Sequence, residues 1–286
     1  MGQITKRIQD LLPTGAKRGL QALRYYASDR KALKAARSVP LPEGVARVYH
    51  HHIRRTGGTS LNAAFYATGG ADFADKEPLL ASQGWMVHGG RVFVAHNKFL
   101  IDRGAYFFAR SHSPAHELRL PPRTFTVTIL RDPVERVISH YNVLAEWERS
   151  DVSHPSRATE GPWLGASFSE FLTRIPREHL LRQLYTFSAG FSVDEAHAAL
   201  SRLDAVLMTE DYAAGLGALS ARLGLDLAMF REKASVAGAP IGAGDLARLR
   251  ELLEPEYALI ARVKKGGNVY SRPAAATGAG RAPATE

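Results

Sequence analysis

The hydrophobic pattern along the chain alternates between two kinds of segment. Residues 125–130 (FTVTIL) and 205–208 (AVLM) are short continuous apolar runs, which are typical of buried strands. Residues 45–53, 91–95 and 106–109 are strand-like by the same criterion. Longer segments with apolar residues at helical spacing follow or separate these runs. This alternation predicts an α/β fold with a central parallel sheet and flanking helices.

The predicted helices are amphipathic segments bounded by polar or glycine-containing stretches. The clearest start is Asp132 with Pro133, because aspartate is a preferred N-cap and proline is favoured at the first helical position. Residues 146–166 are polar and predict a long loop. The predicted helices are residues 59–67, 133–148, 168–174, 179–187, 193–203, 212–223 and 244–263.

Charge and composition divide the chain into three parts. Residues 1–40 hold nine Lys or Arg and two Asp, so most of the net charge of +9 lies there. We interpret this segment as helical, packed on the domain with a solvated basic face; the alternative is peripheral contact with an anionic membrane. Residues 41–271 form the predicted domain, and residues 272–286, rich in Ala, Gly, Pro and Thr, predict a disordered tail. Because the basicity belongs to the first segment, we do not predict a nucleic-acid partner.

The residue types that are missing exclude several kinds of chemistry. The chain has no cysteine, which excludes disulfides, thiolate nucleophiles and Cys-ligated metals. No apolar stretch approaches the roughly 20 residues needed to span a bilayer, and the N-terminus lacks the apolar region of a secretory signal. We therefore expect a cytoplasmic protein.

The segment at residues 54–61 (RRTGGTSL) lies where a predicted strand ends and a helix begins. Glycines there allow successive N–H groups to point inward, and the start of a helix favours an anion. The segment lacks GK[ST], so it differs from the loop of Mg²⁺-dependent nucleoside triphosphatases. The predicted anion cradle comprises Arg55, Thr56, Gly57, Gly58, Thr59, Ser60 and Leu61.

A second motif occupies residues 130–141 (LRDPVERVISHY). Arg131 ends a predicted strand, and Ser139 lies about two turns into the following helix. An arginine offers a bidentate charged grip and a serine offers a hydroxyl donor, so both can converge on one phosphate.

Together the two motifs resemble a known family. Residues 52–61 (HIRRTGGTSL) resemble the 5'-phosphosulfate loop of the family-2 sulfotransferases, the group that includes heparan sulfate 2-O-sulfotransferases and many bacterial relatives. Residues 130–141 resemble that family's element for the 3'-phosphate. In this chain Arg54 stands in place of the family's proline and Arg55 in place of its lysine. Since arginine does not give up a proton at neutral pH, Arg55 would act by charge and hydrogen bonding.

The resemblance implies a fold, a co-substrate and an activity. The fold is the sulfotransferase variant of the P-loop nucleoside triphosphate hydrolase architecture. The co-substrate is 3'-phosphoadenosine 5'-phosphosulfate (PAPS), with no metal required. The activity is transfer of a sulfuryl group to a hydroxyl or amine of an acceptor, which we expect to be a glycan or glycolipid.

The resemblance also implies a general base. The family has a histidine in a Gly-His element about 20 residues before the arginine of its 3'-phosphate motif. His112 lies 19 residues before Arg131 and follows Ser111 where the family has glycine. We therefore predict His112 as the base, with His96 and His116 as alternatives.

Two other functions remain open from the residues. One is a phosphate-loop kinase acting on a sugar or nucleoside, which would need a Mg²⁺-binding carboxylate that the sequence does not reveal. The other is a non-catalytic module that binds polyanions through residues 1–40.

Deletion of residues 1–40 separates a catalyst from a polyanion-binding module. We expect the shortened chain to retain turnover on a small acceptor, because the two anion-binding motifs lie outside the deleted segment. Turnover of both chains is measured on the same small acceptor. Loss of polyanion binding, with no turnover by either chain, would support the binding module instead.

Overall fold

The described part of the chain covers most of the predicted domain. In the computed structural model the described residues are 27, 29–35, 47–70, 76–150, 154, 156–230 and 241–266. The predicted tail at 272–286 and most of the basic segment at 1–40 lie outside these residues. Within the basic segment, residues 29–35 are helical (α1).

Six strands form a single mixed sheet. They are β1 (Arg47–His51), β2 (Trp85–His88), β3 (Arg91–Ala95), β4 (Phe108–Ser111), β5 (Thr124–Leu130) and β6 (Ala205–Met208). Their order is β2-β3-β4-β1-β5-β6. The strand β2 is antiparallel to β3, and the other pairings are parallel. Because β1 lies between β4 and β5, His51 pairs with both Ser111 and Thr128.

Helices follow most of the strands. They are α2 (Gly58–Ala67), α3 (Glu77–Gln83), α4 (Lys98–Asp102), α5 (Pro133–Arg149), α6 (Arg157–Glu160), α7 (Phe168–Arg174), α8 (Arg177–Leu180), α9 (Arg182–Phe187), α10 (Val193–Leu200), α11 (Tyr212–Leu223), α12 (Ala243–Leu252) and α13 (Glu254–Lys265). The start of α5 follows from local chemistry, because the Asp132 side chain accepts the N–H of Glu135 at 2.9 Å and proline occupies the first position.

The core lies on both faces of the sheet. Along β6, Leu207 packs in the cluster that contains α2 and α11, whereas Val206 and Met208 pack in the cluster that contains α5, α7, α9, α10 and α13. This alternation follows from the period of two residues in a strand. On the first face, Phe65 of α2 stacks on Phe108 of β4 with ring centroids 4.3 Å apart.

The predicted α/β class is confirmed, and several elements differ in detail. The predicted single helix at 244–263 is wrong: it breaks at Leu253, because Pro255 cannot donate a helical hydrogen bond. The predicted helix at 179–187 is likewise two short helices, which meet at Leu181. The predicted loop at 146–166 contains the end of α5, the short helix α6 and a 3₁₀ turn at Gly161–Trp163. The antiparallel strand β2 was not predicted.

Within the described ranges, no helix is both long enough and apolar enough to cross a membrane.

Replacement of Phe65 by alanine tests the packing beneath the sheet. Phe65 is fully buried, so Phe65→Ala should lower the free energy of unfolding by about 3–5 kcal/mol through lost burial and a cavity. The exposed Leu79 of α3 is the control, and Leu79→Ala should change stability by no more than about 0.5 kcal/mol. Urea denaturation measures both values, and equal effects would contradict the assignment of Phe65 to the core.

Candidate functional site

A tight loop connects the central strand to a helix. Residues 52–57 join β1 to α2, and two of them adopt the left-handed backbone region: Arg55 (φ 69°) and Gly57 (φ 84°). Gly57 adopts this conformation without strain, whereas Arg55 is strained because it carries a side chain. No side chain caps the N-terminus of α2. The helix therefore presents its positive end at the carboxyl edge of the sheet.

The two glycines of the loop serve different purposes. A Cβ atom at Gly57 would lie 3.6 Å from the nearest atom, in Thr209, so this position has room. A Cβ atom at Gly58 would lie 2.3 Å from the ring of His52 and 2.8 Å from that of His50. Gly58 is therefore required by the packing of two histidines.

The predicted cradle residues divide between the loop and the core. The hydroxyl of Thr56 donates to the carbonyl of Ile53 at 3.0 Å, and its own carbonyl accepts from Thr209 Oγ1 at 2.6 Å. Thr56 thus stabilises the loop from inside. Leu61 is fully buried in the core, so its side chain is not available to a ligand. Thr59 and Ser60 are half-buried at the start of α2.

The structure brings three predicted site residues together. Both Nε and Nη2 of Arg55 donate to Ser139 Oγ at 3.0 Å. Arg131 donates from Nη1 to the carbonyl oxygen of Arg55 at 3.2 Å. The sequence predicted that Arg131 and Ser139 would converge. In the structure they do so around Arg55, which lies between them.

The guanidinium of Arg55 lies in a cluster of positive charges. Burial, together with the nearby charges of Arg131 and Arg54, lowers the pKa of Arg55. Among the described residues Arg55 has no carboxylate partner, whereas Arg131 pairs with the exposed Glu135 at 3.1 Å. Because a buried charge is normally paired, this arrangement favours a bound anion.

A further arginine at this edge of the sheet is Arg182, the first residue of α9. It donates to the main-chain carbonyl of His112, at the end of β4. Burial and the charges of Arg54 and Arg136 lower the pKa of Arg182. Within the described ranges this side chain also has no carboxylate partner. Arg182 therefore adds to the positive charge at this edge of the sheet.

The neighbouring loop cation is neutralised. Arg54 forms an ion pair with Glu160 of α6 and donates to Ser156 Oγ at 3.1 Å. His140 of α5 donates from Nε2 to the other carboxylate oxygen of Glu160 at 3.1 Å. Burial acts to raise the pKa of Glu160, but the hydrogen bond from His140 and the charge of Arg54 outweigh it and hold the pKa at about 2. Arg54 thereby ties the loop to the segment around α6.

His112 lies at the carboxyl end of β4, beside the loop. Its Nδ1 lies 2.7 Å from the carbonyl oxygen of His52. Since a carbonyl only accepts, Nδ1 carries the proton and Nε2 retains its lone pair. Burial and then the nearby His96 and Arg54 place the pKa of His112 well below its usual value. His112 is therefore a neutral imidazole with its lone pair at Nε2.

The two alternative histidines have other partners. Arg110 donates to Nε2 of His96 at 2.9 Å, so that lone pair is already used. His116 lies on an exposed 3₁₀ turn, where its ring contacts Tyr185 at 5.4 Å. Of the three histidines, the geometry favours His112 as a proton acceptor.

Asn62 of α2 orients the histidines that precede the loop. His50 Nδ1 donates to Asn62 Oδ1 at 2.8 Å, and Asn62 Nδ2 donates to His52 Nδ1 at 3.3 Å. The rings of His52 and His112 lie 4.6 Å apart. The amide of Asn62 therefore fixes the packing against which His112 rests.

An open groove of about 910 Å³ lies beside α6. Its lining includes Ala158 and Gly161, which are close in sequence to the Glu160 that pairs with Arg54. At its edge the ring of His154 stacks on Trp147 at 4.0 Å. The groove and the ion pair that anchors the loop therefore involve the same short segment, residues 157–161.

Sequence reasoning missed the contributions of Arg182, Gln183 and Glu160. No motif or spacing in the sequence assigned a role to Arg182 or Gln183. Glu160 fell in a predicted loop. Their contacts with residues 70, 52 and 106 positions away are long-range, so no local pattern reports them.

No cluster of three or more His, Cys, Asp or Glu side chains suited to a metal ion occurs in the described part of the chain.

A scan against protein-family models gives no match, and a search of curated proteins finds no similar sequence.

The buried histidines predict a stability that depends on pH. Burial lowers the pKa of His50 to about 4, compared with about 6.5 in the unfolded chain. Below pH 6.5 the unfolded state therefore binds the proton first, and the free energy of unfolding falls as the pH falls toward 4. One such histidine contributes a slope of roughly 1.4 kcal/mol per pH unit.

Urea denaturation between pH 7.5 and 4.5 measures this slope. His50→Gln should give a shallower dependence than the parent chain, whereas His116→Gln should leave the slope unchanged because His116 is exposed. Parallel slopes in the parent chain and the His50→Gln variant would contradict a neutral buried His50.

Proposed function

We propose that the protein is a PAPS-dependent sulfotransferase, with the sulfotransferase variant of the P-loop fold. It would transfer the sulfuryl group of PAPS to a hydroxyl or amine of an acceptor, with a glycan or glycolipid as the preferred acceptor class. The resemblance in the two motifs motivates the proposal. The geometry at the carboxyl edge of the sheet supports it.

The observation that carries the proposal is the charge of Arg55, which has no carboxylate partner in the described part of the chain. Its guanidinium is held by Ser139 and lies beside Arg131. A ligand with two separated anionic groups suits this arrangement. In the proposal the 5'-phosphosulfate occupies the start of α2 beside Arg55, and the 3'-phosphate is bound by Arg131 and Ser139.

Sulfuryl transfer has three requirements: stabilisation of the leaving group, alignment of donor and acceptor, and removal of the acceptor proton. An acceptor oxygen forms a bond to sulfur as the bond from sulfur to the 5'-phosphate oxygen breaks, and the electron pair of that bond leaves with the phosphate. Arg55 and the N–H groups of α2 would stabilise the negative charge on the leaving oxygen. The loop would also hold the donor in line with the acceptor. The third requirement is removal of the acceptor proton.

His112 would take this proton at Nε2. Its Nδ1–H donates to a main-chain carbonyl, so the tautomer is already suitable. A neutral imidazole can accept the proton and later release it to water. Arg182 donates to the main-chain carbonyl of the same histidine and would hold it in place.

The acceptor would approach through the groove beside α6. That groove is open and of mixed polarity, with glycine, proline, leucine and charged residues in its lining, and the stacked Trp147 and His154 offer flat ring faces at its edge. Flat rings and polar side chains suit a sugar. Glu160, in the same short helix as the lining residues Arg157 and Ala158, would connect this groove to the loop through its ion pair with Arg54.

Calorimetric titration with adenosine 3',5'-bisphosphate, the desulfated product, tests the proposal. Without Mg²⁺ and at moderate salt, we expect the wild-type protein to bind it and Arg131→Ala to bind roughly 10- to 100-fold more weakly, because a charged hydrogen-bond donor is lost. Arg248→Ala is the matched control: Arg248 is exposed on α12, and its removal changes the net charge equally.

Two results would count against the proposal. A folded wild-type protein that does not bind the bisphosphate would contradict it, and binding of a nucleoside triphosphate with Mg²⁺ would then favour the kinase. An equal loss in both arginine variants would indicate attraction by overall charge instead of a phosphate site.

A further inference from the structure

The amide side chain of Gln183 is bound to the main chain of Arg131. The N–H of Arg131 donates to Gln183 Oε1 at 2.8 Å, and Gln183 Nε2 donates to the carbonyl oxygen of Arg131 at 3.0 Å. The amide thus pairs with both main-chain polar groups of one residue, as a neighbouring strand would. It does so one residue beyond the end of β5, where strand pairing has ended.

A buried carboxylate fixes Gln183 in turn. Glu256 of α13 accepts from the main-chain N–H of Gln183 at 2.6 Å, from Gln183 Nε2 at 3.0 Å and from the N–H of Leu184 at 3.2 Å. Both Gln183 and Glu256 are fully buried. Arg136, also buried, lies with its Nε 3.7 Å from the carboxylate. The amide of Gln183 therefore has one orientation in which all of its contacts are satisfied.

The residue after Arg131 is fixed in a similar way. The N–H of Asp132 donates to Glu210 Oε1 at 2.7 Å, and Tyr257 of α13 donates to Asp132 Oδ2 at 3.0 Å. Side chains from distant segments thus determine the path of the chain at residues 131 and 132. From this fixed main chain, the guanidinium of Arg131 donates to the carbonyl oxygen of Arg55 and pairs with Glu135.

We propose that Gln183, held by Glu256, is a positioning residue that sets Arg131 where it selects a 3'-phosphate. This inference rests on the proposed function. Gln183 does not touch the ligand; it determines the position of the residue that does. Loss of this support should impair discrimination between phosphate positions more than it impairs binding of an adenosine bisphosphate in general.

The test compares two ligands of equal charge, adenosine 3',5'-bisphosphate and adenosine 2',5'-bisphosphate. Calorimetry gives the ratio of their dissociation constants for each protein. Gln183→Met keeps the length of the side chain but cannot form its hydrogen bonds. We expect this change to lower the preference for the 3'-phosphate by about tenfold, the equivalent of one hydrogen bond to a charged group.

Further variants separate positioning from folding. A partly unfolded sample weakens both ligands equally and leaves the ratio unchanged, so the ratio reports the site alone. Glu256→Gln keeps the shape of the carboxylate and should also lower the ratio, even where Gln183→Met folds poorly. Gln83→Met, at an exposed position in α3, is the matched control and should retain the wild-type ratio.

The outcomes distinguish this inference from the proposed function. A wild-type protein that binds neither bisphosphate overturns both. A wild-type protein that prefers the 3'-phosphate, with the same preference in Gln183→Met and Glu256→Gln, overturns the positioning role and leaves the proposed function standing. A lower ratio in both variants, with the control unchanged, supports it.

Discussion

The parallel pairing of β1 between β4 and β5 is the constraint on which the site depends. The chain leaves β1 toward β2, β3 and β4 on one side and returns across it to form β5 on the other. The segments that follow β1, β4 and β5 therefore lie at the same edge of the sheet. The chain runs to opposite sides of β1 in forming β4 and β5, and such a change of direction is where parallel sheets bind ligands. Main-chain hydrogen bonding thus brings Arg55, His112 and Arg131 together, although they are far apart in sequence.

The carboxyl edge of the sheet carries a cluster of arginine side chains. Several guanidinium groups lie close together where burial makes an isolated charge costly. They differ in whether a carboxylate neutralises them. Arg54 is neutralised by Glu160, and Arg131 is paired with an exposed carboxylate. Arg55 and Arg182 have no such partner among the described residues. Because an isolated buried charge is costly, an anion bound beside Arg55 or Arg182 would stabilise the protein.

Local sequence patterns predicted several strands and three residues of the site. Apolar runs predicted β3 and β6, and the loop and the second motif predicted that Arg55, Arg131 and Ser139 would share a site. Two features could not be predicted from local patterns. The role of Gln183 depends on Glu256, 73 residues away, and the hydrogen bonds from Arg55 to Ser139 join residues 84 positions apart. Both are decided by tertiary packing. The break at Leu253 is different, because Pro255 is a local signal that the prediction of one continuous helix overlooked.

Gly58 has a consequence for how this loop can vary. Its missing side chain makes room for the rings of His50 and His52, so the three positions form one steric unit. A side chain at residue 58 would fit only if smaller residues replaced both His50 and His52. Substitutions at these sites should therefore show strong epistasis. A transplanted TGGTS segment would need its two upstream histidine positions rebuilt in the new host.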